Sequence, residues 1–309
     1  MDEPVVQTKE LTKRYGDRLA VDRVSMTVRR GEVYGFLGPN GAGKTTTLRM
    51  MLGLVRPSAG SASVLGQPAG VPAVTARVGA LIEGPGFYPY LSGRANLQVL
   101  ARYRGIEGPA IDQALERVDL TSRAKDKFKS YSLGMKQRLG VAAALMGEPD
   151  LIVLDEPTNG LDPAGMADIR RLVLDLAGGG QTVLLSSHLL AEVEEICDRV
   201  GIIARGRLLR EESVSELRGG RRLRVHATPV DRALAVGMRL AGEDAVELDG
   251  EGVLVDVPAE RTPELVRALV AEGLDVHEVA GSERTLEEVF FEMTTTPADR
   301  PAETMETVR

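Results

Sequence analysis

The chain has 309 residues, 43% of them hydrophobic and 27% charged, with a net charge of −7. This length has room for one large domain and one small one with apolar cores, and the acidic balance excludes a global attraction to nucleic acid or anionic lipid. The single cysteine, Cys197, excludes an internal disulfide, suits a reducing compartment and reads as a small apolar residue on a helix. At the N-terminus, MDEPVVQTKE lacks the apolar segment of a signal peptide, and no run reaches the roughly 18 apolar residues that span a bilayer, so a soluble protein is expected.

The next informative element is the strand-like run Val33 to Leu37. It feeds Gly38-Pro39-Asn40-Gly41-Ala42-Gly43-Lys44-Thr45, which fits GxxxxGK[ST], and Thr46 to Met51 then reads as a helix. The glycines let the backbone wrap close around an anion, so that amide N–H groups of the loop and of the helix start, from Gly38 to Thr46, face phosphates. Lys44 supplies a cation for the β- and γ-phosphates, and Thr45 offers its hydroxyl to Mg²⁺. A second phosphate-facing turn is expected at Ser132-Leu133-Gly134-Met135-Lys136, where the Ser132 hydroxyl and the Gly134 N–H open a helix running through Met146. Leu151 to Leu154 is an unbroken apolar run, read as a parallel strand buried on both faces, and it ends in the carboxylates Asp155 and Glu156. Thr182 to Leu185 is a second such strand and ends in Ser186-Ser187-His188. The helix from Leu189 to Asp198 carries Glu192, Glu194 and Glu195, read as a solvated face, and strands at Gly201 to Ala204 and Arg207 to Leu209 complete the sheet.

A boundary is expected from Leu217 to Arg222, separating a nucleotide-binding domain at 1–218 from an accessory domain at 222–294. The pattern beyond it predicts a strand at Leu223 to Ala227, a helix at Val230 to Leu240, a hairpin from Ala245 to Leu248 and Val253 to Val257, a helix at Pro263 to Ala271 and a strand at Leu274 to Val279. This βαββαβ order is that of the ferredoxin-like split unit. Thr285 to Thr294 reads as a threonine-capped helix with Leu286, Val289, Phe290 and Met293 on a packing face. His226 and His277 fall in strands without metal-spaced partners and receive no chemistry, and the polar tail at 295–309 is expected to be disordered.

These motifs, in this order, resemble the ATP-binding subunit of an ABC transporter. SLGMK, Ser132 to Lys136, occupies the place of the family's LSGGQ signature, departing at three of five places while keeping Ser132 and Gly134. Gly160-Leu161-Asp162-Pro163 matches the D-loop, His188 the switch histidine, and Tyr15 in KRYGDRLAV the aromatic that stacks on adenine. The resemblance implies an α/β P-loop ATPase with a mixed sheet and a helical subdomain, and a small α+β domain behind it. It also implies two copies meeting head to tail, with ATP between the phosphate loop of one and the signature turn and Asp162 of the other. Asp155, with Thr45, would hold Mg²⁺, and Glu156 would act as general base. His188 would contact the γ-phosphate.

Glu83, in LIEGPGFYPYLSGRANL, stands where the family usually has Gln, on the loop that meets the membrane partner. A carboxylate there can ligate Mg²⁺ but adds negative charge beside Asp155 and Glu156. This Glu with its Pro-Gly-Phe-Tyr run resembles the subgroup exporting peptide antibiotics and related drugs, including the anthracycline type, and the Thr285 to Thr294 helix resembles the end of many drug-exporter ATPases. The expected partner is a separate multi-span permease, with no nucleic acid, and the expected place is the cytoplasmic side of the membrane, peripheral through that permease. Closure of the dimer would act on the permease through Glu83 to Tyr90. The alternative is a soluble ATPase of the same superfamily acting in DNA repair or translation. The 86 residues between Thr45 and Ser132 contain six prolines and leave no room for the long coiled coil of the repair type, while a translation factor would carry two ATPase units.

Overall fold

Three apolar runs are buried along their whole length in the computed structural model, which describes residues 4–218, 222–250, 252–282 and 285–294. The expected tail at 295–309, and positions 219–221 of the expected boundary, lie outside the described residues. The chain divides into two units, one holding residues up to Val214 and the other spanning Ser215–Glu292.

The first unit opens with β1 (Pro4–Tyr15), β2 (Arg18–Val24), β3 (Thr27–Arg29), β4 (Val33–Leu37) and α1 (Lys44–Met51). It continues through β5 (Ala59–Val64), β6 (Gln67–Pro68), α2 (Pro72–Thr75), β7 (Val78–Leu81), α3 (Gly93–Arg104), α4 (Pro109–Arg117) and α5 (Leu133–Leu145). β8 (Leu151–Asp155), α6 (Pro163–Gly178), β9 (Thr182–Ser187), α7 (Leu190–Ile196), β10 (Arg199–Ala204) and β11 (Arg207–Ser213) complete it, and α8 (Val214–Arg218) begins at its last residue and runs on into the second unit. The main sheet has six strands in the order β11-β10-β4-β9-β8-β7, parallel except for β11, which pairs antiparallel with β10. Every residue of β4, β8 and β9 is buried, as expected for central parallel strands covered on both faces.

Register fixes what these strands can do. Leu37 pairs with Ser187 and Asp155 with Ser186, so β4, β8 and β9 end at one level. The phosphate loop, Glu156 and His188 therefore all emerge at the carboxyl edge of the sheet, where ligands of open α/β sheets are held. A second, five-stranded antiparallel sheet, β2-β1-β5-β6 with β3 on β1, places Tyr15 at the end of β1. Helices α3, α4 and α5 pack on one another, and α5 also packs on β7, forming the helical part of the unit. Ser92 caps α3 by accepting from the Ala95 N–H at 3.1 Å, and Gly105 ends it at φ 68°.

The second unit contains β12 (Arg222–Thr228), α9 (Val230–Ala241), β13 (Val246–Asp249), β14 (Gly252–Val255), α10 (Thr262–Ala271), β15 (Asp275–Ser282) and α11 (Leu286–Thr294). Its four strands are all antiparallel, in the order β13-β14-β12-β15. Leu223, Val225 and Ala227 alternate into a core with Val253, Val255, Leu265 and Leu269. Thr285 and Glu288 form a reciprocal capping box on α11, with bonds of 3.0 and 3.2 Å, and Leu286 and Val289 are buried.

One expectation is corrected here. Of the three acidic residues on α7, Glu195 is exposed and pairs with Arg170, but Glu192 is only 6% exposed. Its position one turn along an amphipathic helix turns it inward, toward the segment that follows β8, where Thr158 Oγ1 donates to it at 2.8 Å. Cys197 lies just past α7 rather than within it, and burial pushes its thiol well above the usual range, so it is no nucleophile.

Candidate functional site

The phosphate loop closes onto its own lysine. Gly43 sits at φ 110°, a conformation open to glycine, and a Cβ there would lie 2.7 Å from the Ala20 carbonyl oxygen. The turn leads directly into α1, so the first N–H groups of that helix face outward beside Lys44 and Thr45. Lys44, 6% exposed, donates to the Gly38 carbonyl at 2.6 Å and meets Glu156 Oε1 at 3.0 Å. A cavity of about 410 Å³ is lined by Tyr15, Arg18, Pro39, Asn40, Gly41, Gly43, Lys44, Thr45, Thr46 and Glu156. Ala42 is buried beneath the loop, its carbonyl accepting from Gly206 N at 2.9 Å. Tyr15 is half exposed at the mouth, with Lys13 Nζ 4.9 Å from its ring centroid. The cavity thus offers a cation, loop amides and an aromatic plate, which is what a nucleotide polyphosphate and base require.

The carboxylates at the end of β8 are held differently. Asp155 is buried, with Oδ1 accepting from Ser186 Oγ at 2.5 Å and Oδ2 from Thr45 Oγ1 at 2.8 Å. Both donors are hydroxyls, so the Asp155–Thr45 pair presents adjacent hard oxygens suited to Mg²⁺. Glu156 leaves the strand at φ 49°, a left-handed conformation that costs a non-glycine residue about 1 kcal/mol. Its N–H is held by the Ser186 carbonyl at 3.2 Å and the Ser186 hydroxyl at 3.1 Å, which stabilises the kink. The kink aims the carboxylate between two nitrogen-bearing side chains, the Lys44 ammonium on Oε1 at 3.0 Å and the His188 ring Nδ1 on Oε2 at 2.6 Å.

A second cavity, about 770 Å³, joins Thr45, Asp155 and Glu156 to Glu83, Lys136, Gln137 and Asn159. Glu83 lines it, but its carboxylate is paired with Arg49 of α1, and its backbone is also left-handed, at φ 60°. Arg49 supplies the counter-charge for a third carboxylate beside Asp155 and Glu156.

The remaining expected residues are set apart. Ser132 is exposed and caps α5, its Oγ accepting from Met135 N at 3.2 Å, and Asp162 caps α6 by accepting from Gly165 N at 3.0 Å. Neither they nor Gly134 line the cavity around Lys44 or the larger one that shares Thr45 and Glu156 with it, although Leu133 and Lys136 of the same segment line the larger. The D-loop instead packs beside the signature turn of its own chain, since a Cβ on Gly160 would lie 2.7 Å from Leu133 Cδ2 and one on Gly134 3.7 Å from Leu161 Cδ2. Four residues that matter here were not singled out from the sequence: Ser186, Arg49, Thr158 and the inward role of Glu192. Of these only Ser186 carried a signal, the hydroxyl at the end of an apolar strand aligned with β8.

A family profile described as ABC transporter matches residues 21–159. The bacitracin transport ATP-binding protein BcrA of Bacillus licheniformis is 40% identical over 296 residues, covering 94% of this chain and 97% of its own. The daunorubicin resistance ATP-binding protein DrrA3 of Streptomyces coeruleorubidus is 38% identical over 295 residues, covering 91% and 93%. Among solved structures, CbiO1 of Clostridium perfringens, part of the ABC transporter complex CbiONQ, superposes with a TM-score of 0.62 at 26% identity, over 70% of this chain and 91% of its own. The chain binds nucleotide in a P-loop ATPase fold, and its likeness to BcrA and DrrA3 runs through both units, so it belongs to the ATP-binding subunits of ABC transporters, a family of ATPases.

Proposed function

We propose that the chain is the ATP-hydrolysing half of a drug or antibiotic exporter, acting at the cytoplasmic face of the membrane through a separate multi-span permease. The observation that carries the chemistry is Glu156 suspended between Lys44 and His188 at the level where three buried strands end. Residues 1–218 form the nucleotide-binding domain in this reading, and 222–294 a ferredoxin-like accessory domain. Relatives of near-equal length named for bacitracin transport and daunorubicin resistance support the export reading over DNA repair or translation.

The mechanism follows from the side chains. Tyr15 stacks on the base, and Gly38 to Thr46 direct amides at the phosphates. Lys44 exchanges its Glu156 partner for phosphate oxygens, which frees that carboxylate to orient and deprotonate the attacking water. His188 stays on Glu156 Oε2 through Nδ1 and holds it in place, while its other ring nitrogen contacts the γ-phosphate. Thr45 and Asp155 would hold Mg²⁺, whose charge would offset that of the phosphates. Ser132, Gly134 and Asp162 serve the nucleotide of a second copy, consistent with their position outside this chain's own cavities.

The loop after β7 carries the coupling. Asn96, buried on α3, accepts from Tyr88 N at 2.8 Å and donates to the Tyr88 carbonyl at 3.1 Å, so loop and helix move together. Tyr88, Tyr90, Val99 and Tyr103 are exposed there, Tyr103 to 92%. Exposed aromatics of this kind mark binding surfaces. The reading frame beside this gene is expected to encode a multi-span membrane protein lacking ATPase motifs, and co-expression with it should bring the chain down with membranes. Replacing Tyr88, Tyr90 and Tyr103 with Ala should weaken that association about tenfold or more. Recovery of the wild-type chain in the supernatant would overturn the permease reading.

Glu83→Gln should leave ATP affinity within about twofold, since the phosphates are held by Lys44 and loop amides, while releasing Arg49 and altering turnover or its stimulation by the permease. Turnover and stimulation that both match the wild type would remove Glu83 from the site.

A further inference from the structure

Two segments leave the sheet side by side. One follows β8 through Glu156 to Thr158 and on to Asp162, and the other follows β9 through His188 into α7. They are tied at the site by the 2.6 Å contact of His188 with Glu156. One turn along α7 they are tied again, where Thr158 Oγ1 donates to Glu192 Oε2 at 2.8 Å. Thr158 is 5% and Glu192 6% exposed, and Glu192 Oε1 is buried without a hydrogen-bond partner among the described residues.

A buried carboxylate with one unanswered oxygen is a poor way to hold two segments together. An apolar pair of similar shape would pack at less cost, because a half-satisfied buried polar group forfeits its hydration. What the polar pair supplies, and an apolar one lacks, is direction: one donor and one acceptor fix the spacing of the two segments, whereas methyl groups slide.

We infer that Glu192 is a positioning residue for hydrolysis, acting through Thr158 to hold the Glu156 segment and the His188 segment in one register. The inference rests on the roles proposed above for Glu156 and His188. Because the tied segment runs on to Asp162, the same bond links the placement of the base to that of the residue assigned to the second copy. The main contacts to the nucleotide held by this chain belong to other elements, Tyr15 and the loop before α1, so this pair should act on turnover far more than on affinity.

The test measures kcat, affinity for a fluorescent ATP analogue and thermal midpoint in the full chain with Mg²⁺. Thr158→Val and Glu192→Leu should each lower kcat about tenfold or more with analogue affinity within about twofold, and each should lower the midpoint because one partner is left alone. Glu192→Gln, whose amide oxygen still accepts from Thr158, should restore most of the turnover. The Thr158→Val/Glu192→Leu double variant is decisive: its midpoint should return to the wild-type value while kcat stays low. A double variant with wild-type kcat would show that the pair only packs, and a loss of analogue affinity equal to the loss of kcat would equally overturn the inference. Glu156→Gln in the same assay separates the two levels, since unchanged turnover there would refute the site reading itself. If Glu192→Leu does not fold, Thr158→Val, which conserves shape, gives the kcat and affinity comparison alone.

Discussion

Glu156→Gln should bind ATP as well as the wild type or better and turn it over 10²- to 10⁴-fold more slowly, the usual contribution of a positioned general base. The amide keeps the shape of the side chain at the kinked φ 49° position, so the loop has no reason to move. It loses the charge that meets Lys44 at 3.0 Å, and with it a competitor of the phosphates for that ammonium. Binding should therefore survive while chemistry fails, and the nucleotide-bound pair of subunits should accumulate as a dimer on size-exclusion chromatography. Turnover near the wild-type rate would remove Glu156 from the role of base. A collapse of ATP affinity would instead show that the carboxylate holds the loop together.

Much of this was legible in the sequence because the decisive elements announce themselves locally. GPNGAGKT can be read from its own spacing, and Leu151 to Leu154 and Thr182 to Leu185 are apolar runs of strand length whose ends carry the polar groups. The alternation of Leu223, Val225 and Ala227 and the helical stripes that follow place the second unit's elements within a few residues of where they lie. What could not be read depends on partners distant in the chain. Strand β5, AGSASV, has neither alternation nor an apolar run and becomes a strand by pairing with β1 some fifty positions earlier, Ser63 opposite Gln7. Glu192 has the look of a solvated residue because its acidic neighbours on α7 are more exposed, and only Thr158, from another strand's exit, makes it an interior one. Arg49 reads as an ordinary basic residue near a helix end until the β7 loop brings Glu83 to it.

We propose that each ATP site is shared, with Lys44 from one copy facing Ser132 and Gly134 of another. Lys44→Ala removes the ammonium that the cavity is built around, and Ser132→Arg places a bulky cation on the signature turn, so each variant alone should lose at least about a hundredfold in turnover. In a head-to-tail dimer containing one of each, both defects fall on the same site and the other site is whole. The direct measurement is ATP hydrolysis by an equimolar mixture of the two variants, compared with each alone and with a Lys44→Ala/Ser132→Arg double variant mixed with Lys44→Ala. Turnover in the first mixture should lie well above the sum of its parts, with none gained in the second. A first mixture no faster than that sum, or Ser132→Arg subunits hydrolysing ATP at the wild-type rate by themselves, would contradict the shared site.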